Sequence, residues 1–158
     1  MKTLTVYYSR SGTTRRIAEE LVKKLGSDVD PITEPRGRGG LLGFLRSGYE
    51  AATEKLPQIN PAGKSPSDYD LVIVGTPVWS KKMSSPVRSY LSQHRDKMSD
   101  VAFFCTLGGS GGEATLKAMA DLVGKEAKAR MMLYQKKIED GGYSSKVEEF
   151  AVELSSAG

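Results

Sequence analysis

The sequence predicts an α/β fold built on a parallel sheet of five strands. Short apolar runs alternate with amphipathic stretches over nearly the whole chain, which is typical of parallel strands joined by right-handed helical crossovers. The run Leu71–Val74 is almost purely apolar, as expected of a parallel strand that is covered on both faces. We therefore expect a single domain over residues 1–158.

The first predicted elements form a strand–helix–strand unit. Leu4–Tyr8 is a β-branched and aromatic run, which favours a strand. Thr14–Leu25 carries apolar residues at i, i+4 and i+8, so it predicts an amphipathic helix, and Gly26 ends it. Asp28–Ile32 predicts a weaker second strand.

The segment Pro35–Pro66 interrupts the regular alternation. It is rich in glycine and arginine at first, contains a candidate amphipathic helix at Leu41–Ala52, and then passes through three prolines. We interpret it as an elaborated crossover and not as a domain boundary. The sequence assigns it no role.

The second half of the chain contains the remaining predicted elements. Pro86 fits the first turn of a helix, because its fixed φ suits that position and its missing N–H is not needed there. Val101–Cys105 is apolar enough for a buried strand, and Glu113–Val123 carries apolar residues at helical spacing. The chain closes with a predicted fifth strand, Arg130–Tyr134, and a final helix, Lys146–Leu154.

The composition excludes several classes of protein. Of 158 residues, 39% are hydrophobic and 27% charged, and the net charge of +4 comes from scattered basic residues without a nucleic-acid recognition motif. No apolar run reaches the roughly 18 residues that span a bilayer, and the N-terminal pattern does not resemble a signal peptide. The only cysteine, Cys105, excludes an internal disulfide and a cysteine-rich metal site. We expect a cytoplasmic protein without a nucleic-acid partner, a membrane span or a metal site.

The loop after the first strand, Ser9–Thr14, has the composition of a phosphate site. It offers four hydroxyl groups, a glycine and the free amides of a helix start, with no carboxylate. Arg15 and Arg16 lie in the first helical turn, where cations oppose the helix dipole unless an anion is bound. The alternative interpretation is a hydroxyl-capped helix without a ligand. The two arginines favour a bound phosphate.

Two other kinds of phosphate site are excluded. The loop lacks the Gly-Lys-Ser/Thr ending of nucleoside triphosphatases, and it is not Gly-x-Gly-x-x-Gly. A phosphate-accepting receiver domain needs an acidic pocket, whereas Tyr7–Ser9 and Gly75–Thr76 supply no carboxylate at the strand ends. The expected ligand is therefore a mononucleotide.

Two further loops are expected at the same edge of the sheet. Gly75–Pro86 carries the only tryptophan, Trp79, whose aromatic face suits a planar heteroaromatic ligand, although the indole could also cover the edge of the core. Thr106–Gly112 has four glycines in seven residues, so its backbone can pass close to a ring, although it could also be a flexible surface loop. Together the three loops offer phosphate binding, stacking and amide donors.

These loops resemble those of the flavodoxin family, in which FMN binds at the switch point of a doubly wound sheet. The family's phosphate signature is Ser/Thr-x-Thr-Gly-x-Thr. Ser9, Gly12 and Thr14 match it, and Ser11 retains the hydroxyl of the threonine that it replaces. The resemblance covers nearly the whole chain. It implies a three-layer flavodoxin-like fold with strand order 2-1-3-4-5 and an FMN cofactor.

The resemblance implies three groups of cofactor-binding residues. The phosphate is expected at Ser9, Arg10 (through its backbone), Ser11, Gly12, Thr13 and Thr14. Gly75–Pro86 is similar to the loop that covers one flavin face in short flavodoxin-like proteins, and contributes Thr76, Pro77, Val78, Trp79, Ser80 and Lys81. Thr106–Glu113 is similar to the loop along the other side of the ring, and contributes Thr106, Leu107, Gly108, Gly109 and Gly112.

Two departures from well-known flavodoxins bear on function. Those proteins are strongly acidic and usually cover the second flavin face with a tyrosine from the strand-four loop. Here that loop has no aromatic residue, so we expect this face to be open or covered by Leu107. Lys81 or Lys82 facing the ring would favour the reduced, anionic flavin. This predicts a milder reductant than the acidic flavodoxins, by on the order of 40–170 mV.

The predicted function is electron transfer with a redox partner protein or a small quinone-like acceptor. One alternative is a flavin-dependent NAD(P)H:quinone-type oxidoreductase that uses the same FMN site, which an open flavin face would favour. Another is a non-catalytic nucleotide-binding module. No residue is assigned a catalytic role: Cys105 is interpreted as a small apolar filler, and His94 as part of a solvated helix end.

Overall fold

The computed structural model describes residues 1–158. Its strands are β1 (Thr3–Tyr7), β2 (Asp28–Pro31), β3 (Leu71–Trp79), β4 (Lys82–Met83), β5 (Asp100–Leu107) and β6 (Arg130–Tyr134). Its helices are α1 (Thr13–Leu25), α2 (Gly40–Ala52), α3 (Ser85–His94), α4 (Gly112–Val123), α5 (Gln135–Glu139) and α6 (Ser144–Ser156). None of these helices combines the length and the apolar character needed to cross a lipid bilayer.

The sheet has the topology that the sequence predicts. Five parallel strands are arranged in the order β2-β1-β3-β5-β6. Numbered along the chain without the short antiparallel strand β4, this is the order 2-1-3-4-5. The order reverses between β1 and β3, and in open α/β sheets this is where a crevice forms beyond the carboxyl ends of the strands.

Two hydrophobic cores cover the two faces of the sheet. One joins Val72 and Phe103 to Leu91 of α3 and Met119 of α4. The other includes Ile73 and Phe104 of the sheet. Its helical members come from α1 and α6, and include Ile17, Leu21, Phe150 and Leu154. Because both faces are buried, the molecule has the three layers expected of a doubly wound fold.

β3 extends beyond the predicted run and enters a hairpin. It continues to Trp79 and pairs antiparallel with β4 through Val78–Met83 and Trp79–Lys82. The turn consists of Ser80 and Lys81, whose φ angles are 50° and 62°. Two positive φ values favour Asn-Gly or Asp-Gly pairs, so Ser-Lys carries no turn signal. The sequence therefore predicted a loop where the structure has a hairpin.

Candidate functional site

A cavity of about 720 Å³ opens at the carboxyl ends of the parallel strands. All three predicted loops contribute to its wall. It is lined by Arg10, Ser11, Thr13, Thr14, Phe44, Leu45, Ser47, Gly48, Tyr49, Pro77, Val78, Trp79, Ser80, Thr106, Leu107, Gly108, Gly109 and Gln135. The volume lies within the range of small-molecule sites. No lining residue is acidic, so the wall does not repel an anion.

The loop after β1 forms the polar end of this cavity. The Gly12 amide donates to Ser9 Oγ at 3.1 Å, so Ser9 shapes the turn without lining the cavity. No side chain caps α1, so the first-turn amides of this helix have neither an intrahelical acceptor nor a side-chain acceptor. Ser11 Oγ and Thr13 Oγ1 lie 3.5 Å apart on the exposed side of the loop. These groups are the donors that a phosphate requires.

The arginines that follow this loop do not face it. The Arg15 Nε donates to Glu19 Oε1 at 2.7 Å on the helix surface. The Arg16 guanidinium donates to the Ile138 carbonyl at 3.2 Å and lies over the Tyr143 ring. The sequence argument that both cations await a bound anion was therefore wrong, because each has a partner elsewhere in the protein.

Arg10 ties this loop to the segment before α2. Its Nε donates to the Arg38 carbonyl at 3.0 Å, and its Nη2 donates to the Gly40 carbonyl at 3.1 Å. Its guanidinium also lies 5.7 Å from the centre of the Phe44 ring. The side chain of Arg10 thus holds two walls of the cavity together.

The hairpin supplies the aromatic wall. Pro77, Val78, Trp79 and Ser80 line the cavity. Thr76 does not line it: its buried hydroxyl contacts the Ser84 hydroxyl at 3.0 Å and accepts from the Ser84 amide at 3.0 Å. The Trp79 indole lies edge-on to Tyr8, with ring centres 5.6 Å apart.

The redox prediction required Lys81 or Lys82 to face the ring site, and neither lysine of the hairpin does so. Lys82 Nζ donates to Glu54 Oε1 at 3.0 Å and to the Ala52 carbonyl at 3.2 Å, so it points toward the end of α2. Lys81 is exposed and does not line the cavity. Neither ammonium group supports the proposed effect on a ring in the cavity.

The end of β5 and the following glycines form the opposite wall. Thr106, Leu107, Gly108 and Gly109 line the cavity. Gly112 does not line it, because it packs at the start of α4, where an added Cβ would lie 2.2 Å from the Met132 sulfur. Position 112 is a glycine because α4 packs closely against β6 there, which leaves no room for a side chain.

Sequence reasoning missed the wall that comes from α2. Phe44, Leu45, Ser47, Gly48 and Tyr49 line the cavity, as does Gln135 at the start of α5. The only sequence signal was the amphipathic pattern of Leu41–Ala52, which gave the helix but not its position. Two of these residues are aromatic, and the sequence had predicted no second aromatic residue.

Two buried groups near the cavity stay protonated at neutral pH. Burial, followed by the nearby Glu34 carboxylate, raises the pKa of Tyr8 to about 12. Burial, followed by Glu113, raises the pKa of the Cys105 thiol to about 12, and Cys105 is fully buried within β5. This agrees with the interpretation of Cys105 as an apolar filler.

His94 differs from its predicted environment. Its ring lies 4.5 Å from the Tyr90 ring, and its Nδ1 is buried without a hydrogen-bond partner. Burial, followed by the charge of Lys97, lowers the pKa of His94. The ring is therefore half-buried against Tyr90, whereas Gln93, Arg95 and Asp96 beside it are exposed. The prediction of a solvated helix end is correct for these neighbours but not for the His94 ring.

Comparison with known proteins agrees with this architecture. The family model described as Flavodoxin matches residues 2–144. A flavoprotein from Lactobacillus acidophilus NCFM, solved in complex with FMN, has a TM-score of 0.72 at 23% identity, over 88% of this chain and 97% of that chain. Oxidised flavodoxin 1 from Bacillus cereus has a TM-score of 0.58 at 13% identity, over 99% and 98% of the two chains. No curated protein matches the chain.

Proposed function

Because the chain belongs to the flavodoxin family, we propose that residues 1–158 form one FMN-binding domain that transfers electrons through the cofactor. The observation that carries the proposal is the cavity, which combines hydroxyls and a helix start at one end with aromatic walls and no carboxylate. When bound, FMN supplies the redox chemistry, and the protein supplies binding, orientation and electrostatics.

The loop after β1 is proposed to bind the phosphate. The hydroxyls of Ser11 and Thr13 and the first amides of α1 are the donors, while Ser9 and Gly12 fix the turn that presents them. Arg10 is proposed to take part through its backbone, while two N–H groups of its guanidinium donate to the Arg38 and Gly40 carbonyls. An anion placed here also gains from the helix dipole.

The isoalloxazine ring is proposed to lie between the aromatic and glycine-rich walls. Trp79 offers a large apolar face, and the Gly108–Gly109 backbone allows close approach and amide donation. Phe44 and Tyr49 of α2 add aromatic surface to the cavity, whereas the loop after β5 has none. Thr76, Lys81 and Gly112 do not line the cavity and are not part of the proposed ring site.

Electron transfer is favoured over the NAD(P)H:quinone-type reductase. The sequence argument for a reductase was an open flavin face, which followed from the lack of a second aromatic residue. Phe44 and Tyr49 belong to α2, which contacts the hairpin that carries Trp79, and the wall formed by Thr106–Gly109 has no aromatic residue. The flavodoxin family model and the similarity to flavodoxin 1 from Bacillus cereus therefore support electron transfer, and not the covering of a second flavin face. We propose that the protein acts in the cytoplasm, with a redox partner protein or a small quinone-like acceptor.

The test is a comparison of FMN with riboflavin, which has the same ring but no phosphate. We expect one FMN to bind per chain. Riboflavin should bind with roughly 100-fold lower affinity, which corresponds to about 2.7 kcal/mol for the lost charge-assisted hydrogen bonds. Titration of apoprotein, followed by flavin fluorescence, measures both affinities.

Three outcomes would contradict the proposal. Equal affinities for FMN and riboflavin would contradict the proposed phosphate site. Failure of the apoprotein to bind FMN would contradict the proposed cofactor. Rapid NADPH oxidation with a quinone, matching established reductases, would make the alternative the better description.

A further inference from the structure

A buried ion cluster lies beside the Trp79 wall, and Arg38 is its centre. The Arg38 side chain is only 1% exposed. Its Nε donates to Glu34 Oε1 at 2.7 Å, and its Nη2 donates to Glu34 Oε2 at 2.9 Å and to Glu50 Oε1 at 2.5 Å. The two carboxylates accept from three N–H groups of this buried guanidinium, so loss of either would leave a buried donor without its charged acceptor.

The remaining contacts of Arg38 connect further elements. Its Nη1 donates to Ser47 Oγ of α2 at 3.3 Å, and its Nη2, which already donates to Glu34 and Glu50, also lies 3.1 Å from Ser85 Oγ at the start of α3. Its carbonyl accepts from Arg10, which belongs to the loop after β1. One residue therefore joins three segments that border the cavity.

The backbone of α2 comes unusually close to Arg38. A Cβ added to Gly43 would lie 2.0 Å from the Arg38 carbonyl oxygen, a distance that no side chain tolerates. The helix that carries Phe44 and Tyr49 therefore contacts Arg38 through its backbone as well as through its side chains. Both contacts fix the position of this helix.

The guanidinium of Arg38 also covers the indole of Trp79. Its Cζ lies 5.3 Å from the centre of that ring, which is cation–π distance. Tyr8 meets the same indole edge-on. Backbone pairing in the hairpin fixes the Cα of Trp79 but not its side-chain torsions, so these two neighbours orient the ring.

We propose that Arg38 is a positioning residue: the Glu34 and Glu50 carboxylates hold its guanidinium against Trp79, and this orients the indole wall of the cavity. Arg38 and Arg46 balance Glu34 and Glu50, so the cluster brings no net charge to the cavity. Arg38 acts through the orientation of the ring, and not through a long-range field. This inference rests on the proposed function only where it concerns FMN.

Arg46 provides a matched control. Its Nε donates to Glu50 Oε2 at 2.9 Å, and its Nη2 lies 3.8 Å from Glu34 Oε2, so it binds the same two carboxylates. It makes no cation–π contact with Trp79 and does not line the cavity. A general loosening of the ion cluster would follow from replacing either arginine. A loss of Trp79 orientation would follow from replacing Arg38 alone.

The test uses the single tryptophan as a reporter in the apoprotein. In Arg38→Lys we expect emission at longer wavelength and roughly twofold stronger quenching by acrylamide, since an ammonium cannot bridge both carboxylates and cover the ring. FMN affinity should fall roughly tenfold. Arg46→Lys should leave emission, quenching and FMN affinity within experimental error of the unchanged protein.

Further variants keep the inference falsifiable if Arg38→Lys does not fold. Glu50→Gln removes one of the carboxylates that hold Arg38 while keeping the side chain's length, so it must move emission and quenching in the same direction. In a Trp79→Phe background, the Arg38→Lys effect on FMN affinity should shrink, because phenylalanine is the weaker partner for a cation.

The inference is overturned if Arg38→Lys and Glu50→Gln both leave the emission and quenching of Trp79 unchanged, or if Arg46→Lys changes them equally. The fluorescence measurements need no FMN. They decide the role of Arg38 even if the unchanged protein fails to bind FMN, and that failure would count against the proposed function alone.

Discussion

At the scale of single residues, a buried hydroxyl pair joins the start of α1 to the end of β5. Thr14 Oγ1 and Thr106 Oγ1 lie 2.8 Å apart, and both side chains are almost fully buried. The bond connects the proposed phosphate end of the cavity to the glycine-rich wall. Each threonine is at most 4% exposed, so an unpaired hydroxyl at either position would be largely shielded from solvent and the pair is sensitive to the loss of one member.

Replacing either threonine alone with valine should lower the free energy of unfolding by more than half of what replacing both lowers it. Thr14→Val leaves the Thr106 hydroxyl buried and unpaired, which we expect to lower the free energy of unfolding by about 1–3 kcal/mol. The double variant removes both polar groups, so its loss should be smaller than the sum of the two single losses. Urea unfolding of the apoproteins measures all three, and strict additivity would show that the bond contributes nothing.

The packed His94 ring predicts a pH-dependent loss of stability. Its pKa is lowered in the folded chain, so as the pH falls below the ordinary value of about 6.5 the unfolded chain takes up the proton first. The stability that neutral His94 contributes is therefore complete above that pH, and it is lost as the pH falls through the pKa of the folded chain. Each unit of pKa difference amounts to about 1.4 kcal/mol.

His94→Gln should flatten this dependence. Unfolding free energies at pH 7.5 and pH 5.5 should differ less in the variant than in the unchanged protein. An equal difference in both proteins would assign the pH dependence to other groups.

At the scale of elements, α2 forms a wall of the cavity while much of its surface stays exposed. Leu41 is 72% exposed, Leu42 83% and Phe44 61%. The Arg38 cluster and the close approach at Gly43 both hold the helix in place. Its position should therefore be sensitive to small changes at Gly43.

Gly43→Ala should destabilise the protein although alanine favours helices. The added methyl group cannot fit beside the Arg38 carbonyl, and we expect a net loss of about 1–3 kcal/mol and weaker FMN binding. Gly48→Ala is the control in the same helix, because its Cβ would meet only Ser80 Oγ at 3.4 Å. In thermal unfolding, Gly48→Ala should have an unfolding temperature close to that of the unchanged protein, and Gly43→Ala a lower one. A lower unfolding temperature for Gly48→Ala than for Gly43→Ala would contradict this account.

The sequence predicted the elements better than their contacts. The strands were predicted from apolar runs, and their order from loops that resemble a known family. The structure confirms the strand order. The hairpin at Ser80–Lys81 was missed because its turn residues lack the usual signal. The α2 wall was missed because periodicity gives a helix and its apolar face but not its position.

At the scale of the whole molecule, the charge distribution bears on the reduction potential. The chain carries a formal charge of +4, and the cavity has no acidic lining residue. Acidic flavodoxins make a reduced, anionic flavin costly through repulsion. Because the cavity lining has no carboxylate to repel a reduced flavin, we still predict a milder reductant than the acidic flavodoxins, although Lys81 and Lys82 do not contribute.

We expect the bound FMN to be reduced at a potential less negative than in acidic flavodoxins by on the order of 50 mV, which is about 1.2 kcal/mol for one electron. Anaerobic redox titration at low and high salt measures this. The difference should shrink as salt screens the surface charges. A potential as low as that of the acidic proteins at both salt concentrations would show that the missing carboxylates do not matter.

The burial of Cys105 also has a consequence for oxidative damage. Reduced flavins react with oxygen and release hydrogen peroxide, and peroxide attacks thiolates far faster than thiols. The only sulfhydryl of the chain sits within the central sheet, and with a pKa of about 12 it carries almost no thiolate at neutral pH. Burial and this raised pKa should therefore protect Cys105 from oxidation to sulfenic acid and from forming covalent dimers during aerobic turnover. Mass spectrometry after prolonged aerobic turnover should find Cys105 unmodified.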